Sequence, residues 1–195
     1  MIIGITGGTG SGKSTLLALL ETRGARILDC DRIYHRLLTT DETLLAAIKR
    51  RFPGTVENGQ LQRKKLGAIV FSDPEALADL NAITHHAITA EVLRLLKDRP
   101  PLAAIDAVAL FESGMHRLCD VTVAVTAPAE IRVQRLMARD GITEKYARSR
   151  IAAQPSDSAF TEKCDYVLVN DSTPAAFQAK CLAFFKELGI MNTLN

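Results

Sequence analysis

The chain has 195 residues, of which 47% are hydrophobic and 24% charged, with a net charge of +2. That length suits one sizeable core with a small insertion and is short for two full domains. The near-neutral charge gives no ground for a nucleic-acid partner. The four cysteines, Cys30, Cys119, Cys164 and Cys181, are widely spaced and form no C-x-x-C pair. Buried reduced thiols are therefore expected, rather than a metal centre or a disulfide framework. No apolar run approaches the roughly 18 residues of a membrane span, and no charged leader precedes the first apolar stretch. The expectation is a cytoplasmic protein, a monomer or weak homo-oligomer, whose partners are small molecules, with no nucleic acid and no membrane.

The chain opens with an apolar run, Ile2 to Thr6, that reads as a buried strand. Directly after it stands Gly7-Gly8-Thr9-Gly10-Ser11-Gly12-Lys13-Ser14-Thr15, which fits the phosphate-loop pattern G-x-x-x-x-G-K-[ST] from Gly7 to Ser14. Glycines open backbone angles closed to other residues, so several N–H groups can converge on one polyphosphate. The helix that Leu16 to Leu20 predicts would add the positive end of its dipole. Gly8, Gly10, Ser11, Gly12, Lys13, Ser14 and Thr15 are thus candidate contacts to a nucleotide. Lys13 would reach the β- and γ-phosphates, and the Ser14 hydroxyl would take a position on Mg²⁺. ATP and Mg²⁺ are the cofactors this chemistry points to.

A second strand is predicted over Ala25 to Leu28, followed by Asp29 and Asp31 at the start of a helix from Arg32 to Leu38. One of the two carboxylates suffices to cap that helix. The other can hold an acceptor hydroxyl, since a loose phosphoryl-transfer transition state needs an aligned nucleophile above all; Asp31 is assigned that part. The stretch from Arg32 to Pro101 exceeds what one crossover requires. Its periodicity predicts helices over Asp41 to Phe52, Arg63 to Phe71 and Pro74 to Leu96, with Asp73 as a cap and turns at Pro53-Gly54 and Asn58-Gly59.

Further strands are predicted over Leu102 to Val108, Val121 to Thr126 and Tyr166 to Val169. A helix opened by Pro128-Ala129-Glu130 carries Arg132, Arg135 and Arg139 at offsets of three and four, near one face, and Arg148 and Arg150 follow. Such arginines close over a triphosphate in kinases and stabilise charge spreading onto the transferred group. Strands alternating with helices predict an α/β fold, a P-loop NTPase-type parallel five-stranded sheet flanked by helices. The core would span about 1–31, 101–135 and 160–195, a helical acceptor-binding insertion about 32–100, and a lid about 136–159. Ligands of such sheets gather beyond the C-terminal strand ends, where Thr6, Asp29, Asp31, Glu112, Thr126, Asn170 and Asp171 fall.

Several segments together resemble the dephospho-coenzyme A kinase family. They are Thr6 to Thr15, Asp29-Cys30-Asp31-Arg32-Ile33, Leu61 to Leu66 with Val70-Phe71-Ser72-Asp73-Pro74, Leu80 to Ile88, Asp106 to Glu112, Gln134 to Asp140, Arg150 to Gln154, and Asp165 to Asn170. The resemblance implies transfer from ATP to the ribose 3′-hydroxyl of dephospho-coenzyme A. It implies Asp31 as base, Lys13 and Arg139 as catalytic groups on the phosphates, and Asn170 near the adenine. It puts Arg63, His85, Asp106 and Glu112 on the acceptor side. The chain departs from the family pattern at His86, where proline is usual, at Val108-Ala109 in place of Pro-Leu, at Cys30 for alanine, and at Asp171-Ser172. His85 and His86 point about 100° apart on a helix, so one site cannot use both equally. A small-molecule kinase with another acceptor, and a nucleotide switch, are the other readings of the loop. No N-K-x-D or L-S-G-G signature supports a switch or a transporter ATPase.

Overall fold

A computed structural model describes residues 1–190, which divide into two compact units, one of residues 1–28 with the chain from 100 onward and one of residues 29–99. The first unit is built on a five-stranded parallel sheet in the order β2-β5-β1-β6-β7. The strands are β1 (Ile2–Thr6), β2 (Arg26–Asp29), β5 (Ala103–Asp106), β6 (Val121–Thr126) and β7 (Tyr166–Val169). The apolar runs expected at β1, β6 and β7 form strands over the expected residues. β5 is shorter than expected: its pairing with β1 ends at Ile5 opposite Asp106, while Thr6 goes on to pair with Ala124 of β6. Past Asp106 the Ala107 N–H still donates to the Ile5 carbonyl at 3.0 Å, and the Thr6 hydroxyl donates to the Val108 carbonyl at 3.1 Å.

The continuous Val and Ile character of the strands is what a sheet covered on both faces requires. Ile3, Ile5, Val123, Val125 and Leu168 are buried with Leu16 and Leu20 of α1 (Lys13–Glu21) and with Phe177, Cys181, Phe184 and Phe185 of α9 (Pro174–Glu187). Each such side chain contributes about 1.5–3 kcal/mol over leaving it exposed. α9 lies beyond the expected elements; Thr173 caps it, accepting from the Ala176 N–H at 3.2 Å, and Pro174 opens its first turn. On the other flank α6 (Ala129–Asp140) packs Val133 and Leu136 against Ala147 of α7 (Glu144–Ala152). The short α8 (Asp157–Thr161) follows.

The second unit holds α2 (Cys30–Thr40), α3 (Glu42–Arg51), α4 (Arg63–Val70) and α5 (Pro74–Leu95). Aspartates start three of them. Asp29 accepts from Arg32 N–H at 3.0 Å, Asp41 from Thr43 and Leu44 at 2.9 and 3.0 Å, and Asp73 from Glu75 and Ala76 at 2.9 and 3.2 Å. Such caps are worth about 0.5–2 kcal/mol each. The Asn58-Gly59 turn, with φ of 50° and 73°, joins a small hairpin of β3 (Val56–Glu57) and β4 (Gln60–Leu61) that the sequence reading took only as a turn. Two left-handed residues suit a two-residue hairpin loop.

None of the four cysteines is in a disulfide among the described residues, and only Cys30 and Cys181 are buried; Cys119 and Cys164 are half-buried. Burial pushes the Cys119 thiol up to about 12 and the Cys164 thiol to about 11. Among the described residues no helix is long and apolar enough to cross a membrane.

Candidate active site

The phosphate loop emerges from β1, the middle strand, at the position where the sheet order reverses. Two glycines in it are required by the backbone. Gly7 has φ of 137°, and a Cβ there would fall 2.1 Å from the Val125 carbonyl oxygen. Gly12, with φ of 106°, stands at the N-cap of α1, and a Cβ on it would fall 2.1 Å from Asn170 Nδ2. No side chain caps α1 and no acidic residue lies in its first turn. In its first turn the Thr15 N–H donates to the Gly12 carbonyl at 3.0 Å, and the helix N-terminus carries the positive end of the dipole, an arrangement that favours an anion. Lys13 folds over the loop, its Nζ donating to the Gly7 carbonyl at 2.7 Å. Ser14 and Thr15 are exposed. Ser11 is 1% exposed, and its hydroxyl has no hydrogen-bond partner among the described residues; its N–H donates to the Gly8 carbonyl at 3.3 Å.

Asn170, at the end of β7, is buried against this loop. Its amide donates to the Ser11 carbonyl at 2.9 Å and accepts from Arg135 at 2.9 Å. Arg135 also reaches the carbonyls of Gly10 and Ser11, each at 3.3 Å, and burial holds its guanidinium below the usual arginine range. The three arginines read as one basic face therefore do three different things. Arg132 is 4% exposed and donates to the Thr9 carbonyl at 2.8 Å. Arg135 braces the loop. Arg139 is exposed and forms a two-pronged pair with Asp140 at 2.7 and 3.0 Å. Arg150 joins the same carboxylate at 2.6 Å. Hydrogen bonds from Arg139 and then Arg150 hold the Asp140 carboxyl down at about 2. Helical spacing gave the shared direction of these side chains but not their depth.

Asp106 ends β5, and Glu112 lies six residues on, 3.3 Å from Lys163 Nζ. Phe111 beside it stacks on His116 at 4.9 Å between ring centres. In the second unit Asp31 is exposed in the first turn of α2, while Asp29 is the cap. Arg63 opens α4 and is exposed. His85 is half-buried on α5 and His86 exposed. Tyr34, which the sequence reading did not single out, is held above the usual phenol range by burial, with Arg63 acting against the shift. Asp31, Tyr34 and His35 follow at spacings of three and four on α2, and His35 Nδ1 lies 2.8 Å from the Asp31 carbonyl.

A family model described as dephospho-CoA kinase matches residues 1–175. The chain belongs to the dephospho-CoA kinase family. A dephospho-CoA kinase of Anaeromyxobacter dehalogenans is 40% identical over 185 residues, covering 92% of this chain and 88% of its own. One of Thermus thermophilus is 38% identical, with 96% and 92% covered. Among solved structures, a Thermus thermophilus crystal structure superposes with a TM-score of 0.81 at 37% identity, over 96% of this chain and 97% of its own. A Campylobacter jejuni dephospho-CoA kinase gives 0.67 at 26% identity, over 97% and 98%. A Bacteroides thetaiotaomicron shikimate kinase, at 14% identity and TM-score 0.59, shares the fold. As a dephospho-CoA kinase the chain is a phosphotransferase of the P-loop class that uses ATP and acts on a small molecule.

Proposed function

We propose that this kinase transfers the γ-phosphoryl group of ATP to the ribose 3′-hydroxyl of dephospho-coenzyme A, and that the residues named below carry the reaction. The observation that carries the reading is the donor loop: left-handed glycines, an uncapped helix N-terminus and Lys13 folded over it, in a family named for this acceptor. The 3′-oxygen forms a new bond to the γ-phosphorus while the bond to the β–γ bridging oxygen breaks, and that electron pair leaves with ADP. The hydroxyl proton passes to the Asp31 carboxylate. Asp31 suits this part because Asp29 already caps α2 and leaves Asp31 exposed.

Lys13 and the loop N–H groups of Gly8, Gly10 and Gly12 hold the phosphates and spread the developing charge, while the Thr15 N–H, bonded to the Gly12 carbonyl at 3.0 Å, steadies the turn beneath them. Arg139 exchanges Asp140 for a phosphate oxygen when the donor is bound. Arg63, His85, Asp106 and Glu112 hold the acceptor. Asn170 supports the donor pocket by fixing Ser11 and Arg135, beside the adenine approach expected of it.

Mg²⁺ suits this residue set. Among the described residues no three His, Cys, Asp or Glu side chains cluster as a cage, and Mg²⁺ commonly takes one or two protein oxygens and completes its shell with phosphate and water. The exposed Ser14 hydroxyl is the protein oxygen we assign to it. Bound there, the ion neutralises phosphate charge. Four cysteines outside any disulfide favour a reducing compartment, the cytoplasm.

The experiment is purified protein with ATP, Mg²⁺ and a panel of acceptors, scored for ADP release. Turnover confined to dephospho-coenzyme A supports the reading. Turnover on a different acceptor, or with none, overturns it.

A further inference from the structure

The phosphate-loop pattern leaves the residues at Gly8 and Thr9 unspecified, yet this chain holds both from behind. The Thr9 N–H donates to Gln154 Oε1 at 2.6 Å, and the Thr9 carbonyl accepts from Arg132 Nε at 2.8 Å. The other two nitrogens of the same guanidinium reach Asp157 Oδ1 at 3.0 Å and Gln154 Oε1 at 3.5 Å. Gln154 lies just past α7 and Asp157 opens α8. One planar, rigid donor fork thus joins the loop to the segment that follows the lid helix. A buried guanidinium is costly unless paired and hydrogen-bonded; Asp157 and the two oxygens meet that condition.

Gly8 takes part through the side chain it lacks. A Cβ at Gly8 would fall 2.2 Å from Arg132 Nη2, 2.8 Å from its Cζ and 3.1 Å from its Nη1. Its φ is not in the left-handed region, so the obstacle to a side chain there is the guanidinium and not the backbone.

We propose that Arg132, with Gln154, is a positioning device of the donor loop: it fixes the Thr9 peptide, presents the loop to the triphosphate in one shape, and ties the lid segment to it. Neither residue touches the reacting atoms; both act through Thr9. An arginine that only stabilised the fold would lower Tm and leave the two substrates equally affected. A positioning arginine weakens the donor selectively. The proposal rests on the reading of this loop as the ATP site.

The test compares wild type with Arg132→Lys, Arg132→Ala, Gln154→Ala, Gly8→Ala and Gly8→Ala/Arg132→Ala, reading kcat, KM for ATP, KM for dephospho-coenzyme A, and Tm. Losing a charged hydrogen bond and leaving its acceptor unsatisfied predicts KM for ATP raised about tenfold or more in both Arg132 variants. Gln154→Ala shifts it in the same direction, and KM for dephospho-coenzyme A stays near wild type. Gly8→Ala alone is damaging, but adds little once Arg132 is alanine, a non-additivity expected only of groups in contact. KM for ATP at the wild-type value in Arg132→Lys and Gln154→Ala overturns the proposal, as does an equal rise for both substrates. Should Arg132→Ala not fold, those two milder variants carry the decision. Wild-type protein that binds no ATP would instead overturn the donor-site reading itself.

Discussion

Replacing Asn170 by alanine removes two hydrogen bonds from beneath the donor loop, one donated to Ser11 at 2.9 Å and one accepted from Arg135 at 2.9 Å. The first is a neutral bond worth about 1 kcal/mol; the second involves a guanidinium and is worth about 1.5–3 kcal/mol. Asn170 is 5% exposed, so solvent does not restore the lost partners freely. The sum, about 2.5–4 kcal/mol, corresponds to a fall in Tm of about 5–16 °C for a chain of this size, at about 2–4 °C per kcal/mol. Calorimetry of the nucleotide-free protein measures it. KM for ATP and for GTP should rise together, because the loop binds the phosphates they share. Asn170→Asp keeps an acceptor for Arg135 and loses only the donation to Ser11, so it should fall between. An unchanged Tm, with discrimination between ATP and GTP abolished, would refute the reasoning and leave Asn170 as a reader of the base alone.

Lys13→Ala should abolish transfer while the protein remains folded, because the cation over the loop is lost; near-normal turnover would contradict the loop assignment. Asp31→Asn should cut kcat strongly with KM for ATP little changed, and an unchanged kcat would reduce Asp31 to a first-turn acid of α2. Arg139→Ala should lower kcat by about 10²-fold or more, whereas an effect on Tm alone would leave Arg139 as a partner of Asp140. Asp140 gives a pH dependence. Its carboxyl is lowered from 3.8 to about 2 in the folded state, so its pairing stabilises the protein fully above pH 3.8 and the contribution is lost as pH falls through about 2. The Tm gap between wild type and Asp140→Asn should therefore be present at neutral pH and close across that acid range; a gap independent of pH would contradict the pairing.

The strands and the phosphate loop are legible because their signals are local: short, largely apolar stretches rich in Val and Ile, and glycines ahead of Lys13. Aspartate caps were legible for the same reason, and Asp29 and Asp31 could be read as a cap and a free carboxylate though spacing alone did not say which was which. The β3–β4 hairpin has strands of two residues each, too short for periodicity to register. α9 carries Phe177, Cys181, Phe184 and Phe185 at helical spacing behind a cap-and-proline start at Thr173-Pro174, a local signal of the same kind. The arginines illustrate a deeper limit. Spacing on α6 fixes which residues share a face, but whether Arg132 is buried depends on Thr9, Gln154 and Asp157, residues remote in sequence. Asn170 is similar: its engagement with Ser11 spans the sheet and has no local trace.

Phosphorus NMR of the product formed from ATP and dephospho-coenzyme A tests the central claim most directly. The account predicts a new phosphomonoester on the ribose 3′-oxygen, appearing in step with ADP and absent with Lys13→Ala. ADP and inorganic phosphate with no new ester, or an ester on another hydroxyl, would contradict it.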